Sequence, residues 1–449
     1  MSPLRRLSRS LLAMLPLALA ACSGGGDGGD EAPAAECSVR AQNDWLASYM
    51  KEWYFWYKLS PTPNPADFSN TEAYFAALLY TGSSAGFPRD RWSGSQSTEA
   101  YNRFFGDGKT LGYGISVAGL EVTGQPSMPL YVRHVEPQSD AAAKGIRRGD
   151  QVLSLNGRAV TEIIAANDFS ALTATAAGDV LTLRLLNAGV ERSVSLIASV
   201  FSLTPMQQAQ VLTNASGRRL GYIVVKDMVS QVMAPLEAAF ADFKAQGVQD
   251  LVLDLRYNGG GLVQIGTNVA SHVTGSGARG QVFASLLYND KRASTNNADF
   301  LFSNPSGALG LKRVYVLAGE RTCSASEQVV NGLRPFVDVV LIGDTTCGKP
   351  VGFLPVSQCG TTYSVVNFES VNARNEGRYF DGLNPTCAVA EDFTRGLGAA
   401  DEPLLAAARR HADSGSCFVA GSEREQGMAR QRTTGRGAGP GLFQGTILH

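Results

Sequence analysis

Leu251-Val252-Leu253-Asp254-Leu255-Arg256-Tyr257-Asn258-Gly259-Gly260-Gly261 is an apolar run of strand length that breaks into a glycine loop. Such a run, bounded by turn residues, reads as a buried strand. On either side the same rhythm continues. Residues 220–225, 314–318 and 337–342 are strand-like, whereas 232–243 and 324–333 carry helical patterning. Strand and helix in alternation predict an α/β layer architecture for residues 201–412. Upstream, residues 109–200 change to short strands and glycine turns, and residues 37–108 read as helical. In that first region Trp45, Tyr49, Trp53 and Trp56 recur at helical steps and predict one buried face. A second helix is expected to start at Ser69, with Glu72 completing a capping box.

The whole chain has 449 residues, 44% of them apolar and 18% charged, enough to build real cores. Lys plus Arg number 39 against 40 Asp plus Glu, for a net charge of −1, which argues against nucleic acid as a partner. The sequence from 413 to 449 is rich in Gly, Ser, Gln and Arg and is expected to be largely disordered.

The first residues read as an export signal. Arg5, Arg6 and Arg9 precede an apolar stretch over 11–21, which ends Leu19-Ala20-Ala21-Cys22 and runs into a glycine-rich tether over 22–36. This resembles the lipobox of bacterial lipoproteins. The resemblance implies removal of residues 1–21, acylation of Cys22, and a membrane partner through that lipid anchor. The place implied is the cell envelope, at the outer membrane facing the periplasm. Six further cysteines remain, Cys37, Cys323, Cys347, Cys359, Cys387 and Cys417. An even number in an oxidising compartment predicts disulfides, with 15 connectivities open. No C-x-x-C pair is present, and neither a metal nor an organic cofactor is expected.

Three segments carry candidate chemistry: the glycine loop above, Thr322-Cys323-Ser324-Ala325-Ser326-Glu327, and Thr346-Cys347-Gly348-Lys349-Pro350. A serine hydroxyl needs a base to become a nucleophile. The four histidines are His134, His272, His411 and His449, and only His272 falls where a triad member could stand. No Gly-x-Ser-x-Gly elbow accompanies it. A neutral lysine can take the role if burial brings its pKa from ~10.4 toward about 7–8. The neighbours of Lys349, Cys347 to Phe353, carry no other charge. Ser324 stands where a helix begins, so N-cap and nucleophile are both open to it, and Ser326 is a rival.

Taken in this order and spacing, the three segments resemble the carboxyl-terminal processing peptidases, or tail-specific proteases. The middle domain resembles a PDZ domain, on Gly112-Tyr113-Gly114-Ile115 and on "GIRRGDQVLSLNG" over 145–157. The fold implied is multidomain α+β: an N-terminal helical region, a PDZ-like β-rich domain and an α/β layered catalytic domain. The activity implied is that of a serine endopeptidase with a Ser324/Lys349 dyad and the backbone N–H groups of Gly260 and Ala325 as oxyanion hole. Gly112, Tyr113, Gly114 and Ile115 would hold a peptide carboxylate. Partners implied are protein or peptide substrates, with an activating or adaptor protein and self-association left open. Family members often carry glutamine four residues after the lysine. Here that residue is Phe353, which leaves Gln358 or a backbone carbonyl to hold the amine. The alternative is a catalytically silent envelope lipoprotein that binds peptides or apolar ligands.

Overall fold

The computed structural model describes residues 37–82 and 86–417. The export segment with Cys22, its tether, and tail residues 418–449 lie outside the described residues. Among the described residues no helix is long and apolar enough to cross a membrane.

The central sheet has six strands in the order Met206–Thr213, Arg219–Val225, Asp250–Asp254, Arg313–Ala318, Asp338–Gly343 and Cys387–Ala388. The first pair is antiparallel and the rest are parallel. Side chains alternate between faces with period two. Ile223, Leu251, Leu253, Val314, Val316 and Leu341 share a core with the helices Met233–Ala245, Val263–Thr274 and Ala325–Leu333. Leu220, Tyr222, Val252, Tyr315, Leu317 and Ile342 face the helix Pro403–Ser414 instead. Burial on both faces is why these strands read as unbroken apolar runs. Three adjacent parallel strands, Asp250–Asp254, Arg313–Ala318 and Asp338–Gly343, place the three candidate segments side by side at their carboxyl ends. In open α/β sheets that edge is where ligands bind.

The middle domain has its own core, built on Leu130, Val132, Leu155, Ile163 and Leu183. Its sheet runs Ile115–Val117, Leu130–Val135, Gln151–Leu155, Val180–Asn187 and Val190–Ile197. Lys109–Gly112 pairs with Ser199–Ser202, which fastens the entry to the exit of this unit.

The N-terminal region departs from the sequence expectation in four ways. The helix Val39–Trp53 ends before Trp56, because Tyr54 is extended. Trp45, Tyr49 and Trp53 stack at 5.3 and 6.3 Å but are only half-buried; the buried face of the helix is Asn43, Leu46 and Met50, and Trp56 is buried from the following turn. The second helix, Thr71–Leu78, is capped by Asn70, not Ser69, with Asn70 Oδ1 accepting from Ala73 N at 2.8 Å. Asn is at least as good a cap as Ser, so the start moved one residue. Nor does the region stand alone. Gly94–Ser97 pairs with Thr361–Ser364, and its aromatic core is continuous with that of the large domain.

Among the described residues three disulfides join Cys37 to Cys359, Cys323 to Cys347 and Cys387 to Cys417. The last corrects the tail boundary: the final helix runs to Ser414, and Cys417 is buried against the sheet. Peptide mapping without reduction should recover these three pairs and no others among the six cysteines. Replacing Cys387 and Cys417 by serine should lower unfolding free energy in urea by about 2–4 kcal/mol. A different pairing, or no loss, would contradict the way the end of the chain is anchored.

Candidate active site

Strand Arg313–Ala318 leads into Ser324, which precedes helix Ala325–Leu333 as its N-cap. Ser324 has φ 61° and ψ −119°, a backbone conformation that is costly for a residue with a side chain. The result is a sharp strand-to-helix turn where the sequence ends a strand and begins a helix, formed without the Gly-x-Ser-x-Gly pattern. Neighbouring hydrogen bonds fix the turn. Thr322 Oγ1 donates to Leu255 O (2.9 Å), Cys323 N to Asn258 O (3.1 Å) and Ser326 Oγ to Asn258 O (3.1 Å). Ser326, the rival nucleophile, is thus fully buried and occupied in holding the glycine loop.

The residue that organises the site is Glu327. It is fully buried, and its carboxylate accepts from Ser324 N (2.9 Å), Gly348 N (2.8 Å), Lys349 N (2.8 Å) and the Thr346 hydroxyl. One side chain therefore binds the backbone of the serine turn and that of the lysine loop, and the Cys323–Cys347 disulfide ties the same two loops covalently. Burial pushes the Glu327 carboxyl up, and the four donors oppose that by favouring the anion. The sequence carries one sign of this role: Ser324-x-x-Glu327 is a capping-box spacing.

Lys349 is 1% exposed, and its amine makes no hydrogen bond. Burial drives its pKa down to about 7, against weaker upward pulls from Asp90 and Glu327. Neither carboxylate is an ion-pair partner. Asp90 accepts from Tyr54 OH (2.8 Å), Trp92 N (2.9 Å) and Ser93 N (3.0 Å), while Glu327 is occupied by three backbone N–H groups and the Thr346 hydroxyl. Gln358, expected as one holder of the amine, does not bond to it; it sits in the small sheet paired with Thr361. The amine lies instead 3.8 Å from the centroid of the Phe353 ring. Dryness comes from the N-terminal region. Trp92 stands 5.5 Å from Phe380, and Arg91 donates to the carbonyls of Cys347 (3.2 Å) and Phe380 (3.1 Å), closing over the lysine loop.

Of the two expected oxyanion donors, Ala325 is the first residue of its helix and offers one of the N–H groups that a helix start leaves without an intrahelical partner. Gly260 departs from expectation: its N–H is donated to Asn258 Oδ1 at 2.9 Å, an Asx turn within the loop. Glycine is needed there for a different reason. At φ +101° a Cβ would stand 2.7 Å from Ser324 Cβ and 2.9 Å from Cys323 O.

His272 is a buried core residue, with Nδ1 on Asn268 O (2.8 Å) and its ring against Phe240; burial lowers its pKa. His134 lies in the middle domain beside Glu136, and His411 against Tyr315. None is brought to Ser324. The ligand atoms of Cys323, Glu327 and Cys347 converge, but the two sulfurs are bonded to each other, which leaves a single carboxylate for any metal.

The loop over 112–115 belongs to the middle domain. Gly114 (φ +83°) packs so closely on Ser139 that a Cβ would clash, Tyr113 is buried, and Ile115 opens the strand at the end of the middle domain's sheet. The two domains nevertheless meet at the glycine loop. Arg148 donates to Glu391 (2.8 Å), to Arg133 O (2.9 Å) and to the Tyr257 hydroxyl, and Arg133 stacks on the Tyr257 ring at 4.8 Å. Arg256, next to Tyr257, is buried in a bidentate pair with Glu402 (2.9 and 3.0 Å) and against Asp254, so these residues fix the loop.

Comparison with known proteins agrees with this arrangement. Residues 219–387 match peptidase family S41, residues 41–94 the peptidase S41 N-terminal domain, and residues 104–186 a PDZ domain. Similar curated proteins include a carboxyl-terminal-processing protease of Synechocystis sp., 26% identical over 238 residues (52% of this chain, 53% of that protein). A chloroplastic C-terminal processing peptidase of Tetradesmus obliquus is 27% identical over 248 residues (52% and 51%). The chain spans about half the length of the curated relatives it matches. Among solved structures, an S41 protease from Bacteroides fragilis superposes with TM-score 0.65 at 25% identity, over 83% of this chain and 97% of that one. The photosystem II D1 C-terminal processing protease shares the fold, with TM-score 0.51 at 20% identity over 79% and 93%. The N-terminal, PDZ and catalytic segments follow in this order along one polypeptide, and residues 219–387 are a peptidase family S41 domain.

Proposed function

We propose that the protein is a serine endopeptidase in which Ser324 attacks the scissile carbonyl and Lys349 takes the hydroxyl proton and returns it to the leaving amine. The observation that carries this reading is a lysine amine buried without any ion pair, on a loop bound through Glu327 to the turn that presents Ser324. A structural lysine gains nothing from such a place; a general base with a pKa near 7 gains its function. The N–H of Ala325 and the dipole of its helix would stabilise the oxyanion, and Gly260 would join once its N–H is shared with the substrate oxygen. The names of the relatives support a processing role on peptide or protein substrates. The PDZ domain would add a substrate tail to the strand Ile115–Val117, with Gly112–Ile115 around its carboxylate. Three disulfides fit an oxidising compartment, in keeping with an envelope protein lipidated at Cys22.

A second reading, a silent peptide-binding lipoprotein, has one observation in its favour: Lys349 Nζ does not hydrogen-bond to Ser324 Oγ. A fluorophosphonate probe separates the two. Labelling of Ser324 that is lost in Lys349→Met supports the peptidase, and absence of labelling with tight peptide binding supports the scaffold.

Ser324→Ala and Lys349→Ala should each lower kcat/KM on an unfolded protein substrate by about a thousandfold or more. Activity should rise with pH through about 7, as the amine loses its proton. Full activity in either variant would remove the dyad.

Lys349→Met should inactivate the enzyme and also stabilise it. Because the folded pKa is depressed, the unfolded chain binds a proton that the native chain refuses between about 7 and 10.5. The penalty is present in full below that window, on the order of 4 kcal/mol, and fades toward its upper end. Urea unfolding at pH 6 and pH 10 checks both the sign and the fading.

Glu327→Gln turns an acceptor of four donors into a group that can accept on one atom only. It should cost about 2–4 kcal/mol of stability and lower kcat more than it raises KM. Equal activity at equal stability would show that the two loops hold their places without it.

A further inference from the structure

Lys349 Nζ has no oxygen to orient it; the contact that it does make is with the face of Phe353, 3.8 Å from the ring centroid. Phe353 is itself 1% exposed and ends the strand Val351–Phe353, which pairs with Val366–Val371. The register of that pair shifts between Gly352 and Phe353. A bulge of this kind re-aims the side chain that follows it, and bulges of this kind gather beside active sites. Gly352 permits the crowding: a Cβ there would lie 2.3 Å from the Phe368 ring.

We propose that Phe353 is the positioning residue of Lys349, its ring face serving where a hydrogen-bond acceptor would otherwise hold the amine. This rests on the dyad reading above. The face of an aromatic ring is the negative end of its quadrupole and attracts both an ammonium group and amine N–H bonds. In the neutral lysine, N–H bonds turned to the ring leave the nitrogen lone pair on the opposite side, free to accept the serine proton. A carboxylate in the same place would fix the lysine as its ammonium form; a ring orients it and leaves it free to titrate. The charged groups around the amine are Asp90, from the loop ahead of Gly94–Ser97, and Glu327, from the helix Ala325–Leu333, with Arg91 on the carbonyls of the lysine loop. None of these supplies a direct polar contact to Nζ.

The test is a direct titration of Lys349 by NMR in protein carrying [ε-13C]lysine, the resonance being assigned by its loss in Lys349→Met. Phe353 is replaced by leucine, and separately by pentafluorophenylalanine, which keeps the shape of the ring and reverses its quadrupole. Both replacements should lower the Lys349 midpoint by about one pH unit. They should also move the acid limb of the rate profile with it and reduce plateau kcat about tenfold or more, with KM unchanged. The fluorinated protein preserves packing, so it decides the matter if the leucine variant does not fold. A midpoint unchanged in the fluorinated protein overturns the proposal, since a ring that only fills space would not respond to its electrons. Failure of the dyad reading shows differently: Lys349→Met would then hydrolyse substrate normally, whatever the ring does to the midpoint.

Discussion

The buried carboxylate of Glu327 is the constraint on which the site depends. Its oxygens gather backbone N–H groups from two loops that belong to different strands, and each donor so used is one that a sharp turn or a helix start would otherwise leave without a partner. Burial raises the pKa of this carboxyl, and what opposes the rise is a ring of donors and not a paired cation. That distinction matters for Lys349. Lys349 makes no ion pair with Glu327, and the lysine amine is left without a hydrogen-bond partner. Occupying the carboxylate with these donors is what allows a cation-forming side chain to sit nearby and stay uncommitted.

The sheet explains why these loops meet at all. Parallel strands deliver their successive loops to one edge, and three neighbouring strands place the glycine loop, the serine turn and the lysine loop in a row. The N-terminal region then supplies the dielectric. Its aromatic residues are continuous with the core of the large domain, and Asp90, Arg91 and Trp92 are the part of it that reaches the lysine loop. A region that looks in sequence like a separate helical domain is therefore one wall of the site.

The PDZ domain touches the chemistry through Tyr257. Arg148 and Arg133 of that domain bind its hydroxyl and its ring face, while Arg256 beside it is locked to Glu402. The glycine loop is thus held from one side by the large domain and from the other by the PDZ domain.

By itself the sequence determined the layered fold and the three segments, and through a family resemblance it named Ser324 and Lys349 within them as candidates. Strand periodicity, glycine turns and the uncharged surroundings of Lys349 are local properties that a linear reading contains. The tertiary structure alone decided the pairing of the cysteines, the one-residue shift of the Asn70 cap, the half-exposure of the Trp45 stripe and the anchoring of Cys417. It also decided that the Gly260 amide is turned onto Asn258, that Glu327 joins the two loops, and that Phe353 meets the amine. The reason is the same throughout. Which donor finds which acceptor, and which ring covers which charge, depends on distances between segments far apart along the chain, and those distances exist only once the sheet has formed.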